Sequence, residues 1–265
     1  MRRSRVRVPD LAHRMSVQET SGTLFIVKGR MSNSYFKFKH FTIEQSDCAM
    51  KVGTDGCLLG GWFACEESRR ILDIGCGTGL ISIMAAQRCD ATITGVEIDN
   101  KAALQARRNA DASPWGRRIE ITNRNLLEYT TNARFDTIVS NPPYFVNSLK
   151  CDDTSRTLAR HSDSLDCRSF FGKCVELLDD GGRVSIIIPC DIMDEWKAAA
   201  AELGLYPTRI TMVKTTPRKV PKRALIEFRL NAQNTIKEST LILETSPGEY
   251  SDDAKRILEN FYLKL

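Results

Sequence analysis

Apolar and polar residues alternate from Phe36 to Gln45 (FKFKHFTIEQ), the period of a half-buried strand, and Ala49–Val52 predicts a return strand. Thr54 and Asp55 then precede a short apolar stretch, Cys57–Ala64, that fits a capped helix. From Arg69 the pattern changes to a repeating rhythm. Apolar runs at Ile71–Ile74, Thr92–Val96, Ile119–Thr122, Thr137–Ser140 and Val184–Ile188 predict strands. Helical spacing marks Leu80–Arg88, Lys101–Asn109 and Phe170–Leu178 between them, and Met193–Leu203 after the fifth strand. Such alternation predicts a parallel sheet with helices on both faces. Arg209–Lys214 and Ala224–Leu230 read as strands joined only by Thr215–Arg223. That connection is too short for a crossover helix, so the pair is expected to be antiparallel. Asp252–Leu265 fits a capped amphipathic helix.

Length sets the scale: 265 residues can bury one α/β core with a small appendage. The expected division is an extension over 1–30, a hairpin and helix cover over 31–67, and the main domain over 68–265. No apolar run approaches the ~20 residues of a membrane span, so the chain is expected to be soluble. Its nine cysteines form no C-x-x-C pair and only three histidines accompany them, which favours reduced thiols in a cytosol-like compartment over disulfides or a metal site. The formal charge of +5 misleads, because residues 1–30 hold seven Lys/Arg and two acids while the remaining charges balance. A nucleic-acid footprint must therefore be a local patch. Arg2, Arg3, Arg5 and Arg7 suit an RNA-binding arm or a targeting peptide. The segment lacks the apolar core of a secretory signal, and a disordered extension is the preferred reading.

Asp73-Ile-Gly-Cys-Gly-Thr-Gly79 follows an apolar strand and opens a helix. Glycines there let the backbone turn and approach a ligand, and the helix N-terminus adds donors. A dinucleotide fingerprint would need glycine at position 80, where Leu80 stands. An acid at the strand end suits a cationic amino acid and sulfonium better than a pyrophosphate. Asp73, Gly75, Gly77 and Gly79 therefore point to S-adenosylmethionine rather than a nicotinamide dinucleotide. Glu97, 24 residues after Asp73, ends the second strand, where a carboxylate can accept both ribose hydroxyls. Asp99 is a weaker competitor for that role.

The fourth strand runs into Asn141-Pro142-Pro143-Tyr144. Two prolines cannot extend a sheet, and the position is where open α/β sheets bind ligands. An exocyclic amine has a delocalised lone pair. Two fixed acceptors, the Asn141 side-chain oxygen and the Pro142 carbonyl, would favour the positive charge that develops on nitrogen during attack. Rigid Pro142 and Pro143 preorganise them, and Tyr144 can stack on the planar acceptor.

Together Asp73–Gly79, Glu97 and Asn141–Tyr144 resemble the N-P-P-Y class of amino-methyltransferases, Rossmann-like class I enzymes. The resemblance implies an α/β fold with a mostly parallel seven-stranded sheet ending in an antiparallel hairpin. Phe38–Phe41, Cys48–Gly56, Leu58–Trp62, Tyr144-Phe145, Ala159-Arg160-His161 and Phe261–Leu263 are further similar to the bacterial tRNA1(Val) (adenine-37-N6)-methyltransferase family, over about residues 34–265. That resemblance implies a cytoplasmic enzyme methylating an adenine next to an anticodon, with Lys51–Asp55 (Lys51, Thr54 and Asp55 among them) against the cofactor. Related methyltransferases usually place Asp-Leu after the third strand, accepting from the cofactor's adenine amine. Here Asn125-Leu126 stands there, and the amide oxygen of Asn125 is expected to accept the same bond.

Independently of family, Lys214-Thr-Thr-Pro-Arg-Lys-Val-Pro-Lys-Arg223 holds five basic residues and no acid. Lys214, Arg218, Lys219, Lys222 and Arg223 form the positive ridge that phosphate contacts need. Between Phe145 and Leu165 lies a polar stretch of the kind that covers sites, and Phe145, Arg160 and His161 are expected to meet RNA. The expected partner is tRNA, with no membrane and no obligate protein partner. The competing readings are a release-factor glutamine methyltransferase and a noncatalytic RNA-binding module. The first would bring a larger N-terminal domain than 31–67 allows, and intact Asp73, Asn141 and Tyr144 argue against the second.

Overall fold

Ile71 and Leu72 are neighbours in one strand, both fully buried, yet they enter different cores. That alternation is the signature of a sheet covered on both faces. The computed structural model describes residues 33–48, 50–143, 165–231 and 235–265. Tyr144, Phe145, Arg160, His161 and the expected extension over 1–30 lie outside the described residues. Ser34–Leu265 form one compact unit.

The sheet is built from β3 (Arg70–Ile74), β4 (Thr92–Glu97), β5 (Ile119–Asn123), β6 (Phe135–Ser140), β7 (Leu178–Pro189), β8 (Leu205–Lys214), β9 (Arg223–Leu230) and β10 (Lys237–Ile242). Their order is β10-β8-β9-β7-β6-β3-β4-β5. On one face lie α1 (Thr54–Trp62), α2 (Leu80–Arg88), α3 (Asn100–Asp111) and α6 (Asp252–Leu258); on the other lie α4 (Cys167–Leu177) and α5 (Met193–Glu202). Phe170, Trp196 and Phe228 pack around Phe171 on the second face.

The sheet keeps the expected layout, adds a strand order and gains one strand. The pair β8–β9 is antiparallel as expected, but β9 inserts between β7 and β8 and is antiparallel to both. It is the one reversed strand among those described, because α5 carries the chain across and starts β8 parallel to β7. An eighth strand, β10, adds to the edge beside β8 in parallel. Its residues Lys237–Thr240 are exposed and polar, so no apolar alternation announces it.

The N-terminal cover also differs. The run Phe36–Gln45 is not one strand but a hairpin, β1 (Tyr35–Lys37) against β2 (Thr42–Glu44), closed by Phe38 N–H donating to Phe41 O at 2.9 Å. Phe38 and Phe41 both turn inward and stack, leaving Lys39-His40 outside, so the alternation runs through the turn. The expected return strand over 49–52 does not form among its described residues; Val52 N–H is held instead by Gln45 Oε1 at 2.8 Å. Helix α1 starts earlier than expected, with Gly53 as an extended N-cap and no side-chain cap. A methyl at Gly60 would lie 2.6 Å from Met84 Sδ, so glycine lets α1 approach α2. The C-terminal helix ends at Leu258, short of the expected Leu265, and a short hairpin of β11 (Glu244–Ser246) and β12 (Glu249–Tyr250) precedes it.

Phe36, Phe38 and Tyr262 pack ring against ring, which docks the hairpin on the C-terminal segment. Phe38 is 1% exposed. Phe38→Ala is expected to cost about 3–5 kcal/mol, read as a fall in the denaturation midpoint at unchanged slope.

Candidate cofactor and acceptor site

The parallel strands end on one edge, and the expected site residues gather there. Asp73, fully buried in β3, accepts a hydrogen bond from Ser82 Oγ of α2 through Oδ2 at 2.6 Å. Its Oδ1 is buried without a hydrogen-bond partner among the described residues. Burial, with a contribution from the Glu97 charge and against the Ser82 bonds, pushes the Asp73 carboxyl up to about 7. An unpartnered buried carboxylate oxygen is costly, and a ligand ammonium would relieve it.

Past Asp73 the chain turns sharply. Gly75 and Gly77 have φ of 68° and 54°, a region L side chains rarely adopt, and no heavy atom would meet a methyl at either within 4 Å. Gly75 and Cys76 N–H both donate to Val96 O, pinning the loop to β4. Glu97, at the end of β4, accepts from Gly77 N–H through Oε2 at 2.8 Å and from Asp99 N–H through Oε1 at 2.9 Å. Asp99 accepts from Ala102 N–H, so it caps α3 and is occupied structurally. The loop thus presents two open glycines between two acids, an acceptor set suited to a cationic, hydroxylated ligand. Among the described residues no cluster of His, Cys, Asp and Glu suits a metal.

The N-terminal segment is tied to this loop. Asn109 of α3 donates to both Glu44 O and Thr78 O at 2.9 Å and accepts from Glu44 N–H. Cys48 is half-buried, and burial followed by the charges of Glu97, Asp47 and Asp99 pushes its thiol up to about 11. A methyl on Gly56 would lie 3.2 Å from Leu80, the residue after the loop, so the start of α1 flanks it. Lys51 and Thr54 lie on that flank, exposed. The Asp55 carboxylate meets the start of β9: its Oδ2 accepts from Arg223 Nε at 2.7 Å.

Asn125 has a structural task of its own. Its Oδ1 accepts from Leu127 N–H at 3.0 Å and caps the 3-10 turn Leu126–Glu128. The oxygen assigned to a ligand amine is therefore engaged, with one lone pair left. Nearby, Asn123 Nδ2 donates to Glu97 O and Ile98 O, stitching β5 to β4. Ile98 is 64% exposed and Leu127 50%, two apolar side chains at the strand ends that the sequence reading passed over. The available signal was an isoleucine lodged between Glu97 and Asp99. Ser82 and Asn109 were missed as well; each is polar in an otherwise buried helix face.

Strand β6 pairs with β3 so that Ser140 faces Ile74, and Ser140 Oγ donates to Ile74 O at 2.8 Å. Asn141 follows Ser140, as Gly75 follows Ile74, so both chains leave the sheet at the same level. Pro142 is buried and Pro143 exposed, so the chain leaves the sheet here.

The loop from Lys214 to Arg223 rises from the same edge, since β8 ends there. Lys214 Nζ donates to the loop's own Pro217 O at 2.6 Å, and Lys222 N–H to Val213 O closes its base. Arg218, Lys219 and Lys222 are exposed around Val220, itself 74% exposed. Five expected cations therefore become three facing water, with Lys214 and Arg223 holding the loop's root. No helix among the described residues is long and apolar enough to cross a membrane.

Known proteins agree with this geometry. Residues 49–190 match the family model described as methyltransferase small domain. A tRNA1(Val) (adenine(37)-N6)-methyltransferase of Bacteroides fragilis is 47% identical over 238 residues, covering 89% of this chain and all of the relative. One of that name from Aeromonas hydrophila is 40% identical over 88% of this chain and 99% of its own length. The crystal structure of a predicted O-methyltransferase from Agrobacterium tumefaciens shares the fold at a TM-score of 0.62 and 21% identity, over 78% of this chain and 96% of its own. By its sequence, its sheet and its glycine loop, this chain belongs to the tRNA1(Val) (adenine(37)-N6)-methyltransferase family.

Proposed function

We propose that the protein transfers a methyl group from S-adenosylmethionine to the exocyclic N6 of an adenine in tRNA, at adenine 37 beside the anticodon of a valine tRNA, in the cytoplasm. The observation that supports this reading is the register of β3 and β6, which levels Ser140 with Ile74, one residue before Asn141 and Gly75. When bound, S-adenosylmethionine supplies an electrophilic methyl on a sulfonium. Asp73 holds its ammonium through the unpartnered Oδ1, and Gly75 and Gly77 let the backbone close on it. Glu97 accepts from the ribose hydroxyls through its remaining lone pairs. Ile98 and Leu127 flank the adenine, Asn125 lends its second lone pair, and Lys51 and Thr54 line the side toward α1.

On the acceptor side, the Asn141 side-chain oxygen and the Pro142 carbonyl accept the two amine hydrogens. They stabilise nitrogen as it becomes cationic, and the proton leaves afterwards, so no strong base is needed. Pro143 stiffens this turn. Tyr144 is assigned the stacking face, with Phe145, Arg160 and His161 toward the RNA. An adenine in a folded loop must be unstacked to reach such a pocket. Arg218, Lys219 and Lys222 hold the phosphates that keep it there.

The test is methyl transfer from labelled cofactor to total bacterial tRNA, followed by nucleoside analysis. Label in N6-methyladenosine supports the reading; label in a release factor and none in RNA sinks it. Reversing Arg218 and Lys219 together to Glu should weaken tRNA binding and flatten its salt dependence by a slope of about two. An unchanged slope in a binding titration across salt would remove the loop from the RNA contact.

A further inference from the structure

Asp55 and Arg223 belong to opposite flanks of the site. Asp55 lies in the first turn of α1, and the next residue, Gly56, abuts Leu80 just past the glycine loop. Arg223 opens β9, between Pro189 of β7 and Val213 of β8, and ends the basic loop. Its Nε donates to Asp55 Oδ2 at 2.7 Å, both side chains being part-buried, while its Nη1 donates to Lys222 O at 3.1 Å. Lys222 O also accepts from Cys190 N–H, the residue after β7. Within the loop, Lys219 N–H donates to Thr216 O, and Lys214 Nζ to Pro217 O, so the cations ride on a hydrogen-bonded turn whose root is Arg223.

We propose that the Asp55–Arg223 pair is a positioning device. It fixes the root of the basic loop against the helix beside the cofactor loop, and so sets where bound RNA lies relative to the transferred methyl. The inference rests on the RNA reading of that loop. Neither residue touches the reacting atoms. Part-exposed ion pairs contribute little to stability, so loss of the pair moves placement more than melting. A misplaced substrate loses rate steeply even when the chemical groups are intact.

The experiment uses the full chain with a valine-tRNA transcript. It measures kcat and KM for tRNA, the S-adenosylmethionine Kd by calorimetry, and the melting temperature. Asp55→Asn and Arg223→Gln should each lower kcat/KM for tRNA about tenfold, and the double variant no further than either single one. Cofactor Kd should stay within about twofold, and Arg223→Lys should restore most of the loss by keeping the charge. Additive losses, unchanged kcat/KM, or a fall in cofactor affinity matching the fall on tRNA would overturn the proposal. An inactive wild type would overturn the RNA reading and the pair's role together, whereas an active wild type with additive variants overturns the pair alone.

Discussion

Asn141→Ala is expected to lower kcat about 10²–10³-fold while leaving S-adenosylmethionine binding within a few-fold. Asn141 follows the end of β6 and is not part of the glycine loop that follows β3. In the proposed role its amide oxygen acts on the amine as charge develops, so its loss is expected in the rate of the chemical step rather than in ground-state affinity. Single-turnover methylation of tRNA, with calorimetric titration of the cofactor, separates the two. Equal loss in both would show that Asn141 builds the pocket and does not serve the reaction.

Asp73→Asn should weaken cofactor binding about a hundredfold, because it removes the buried charge proposed to hold the ligand's ammonium. The isosteric amide can keep a partner in Ser82, whose hydroxyl lies 2.6 Å from Oδ2, so the fold around it is preserved. The same carboxyl makes affinity depend on pH. Burial pushes it up to about 7 in the free protein, against an ordinary value of 3.8. Below about 7 the free protein holds a proton that binding must expel, so affinity falls as pH drops through that value. Above about 8 the ligand's own α-amino group loses its charge and affinity falls again. The expected profile is an optimum between the two. Titrations from pH 5.5 to 9 check it, and the acid limb should vanish in Asp73→Asn; an acid limb that persists in the variant would assign the proton elsewhere.

The parts legible in the sequence share one property: their signal is local. The glycine loop, Glu97 and the Asn141 turn each sit at the end of an apolar run, and a buried strand must be apolar on both faces. A residue in such a run that is not apolar therefore stands out. Asp73 is the clearest case, a carboxylate inside a strand whose neighbours Ile71, Leu72 and Ile74 are all buried. Strand β10 shows the opposite. It sits at the sheet edge with Lys237–Thr240 exposed, so its place is set by backbone pairing to β8, and backbone pairing leaves no mark on side-chain type.

Charge was the least legible feature. Five cations between Lys214 and Arg223 looked equivalent, and Asp55, 168 residues before Arg223, looked like a cofactor contact. Folding divides them into root and ridge, since an ion pair depends on where two backbones meet. The same holds for Asn125, whose oxygen turned to its own chain at Leu127, a local competition that a polar side chain beside a turn readily wins. The sequence by itself determined the class of fold and the glycine loop after the first strand of the sheet, because hydrophobic period and glycine conformation act over a few residues. Only the tertiary structure decided which strand is reversed, which charges face water and how the N-terminal cover reaches the site, because those depend on contacts between segments far apart in the chain.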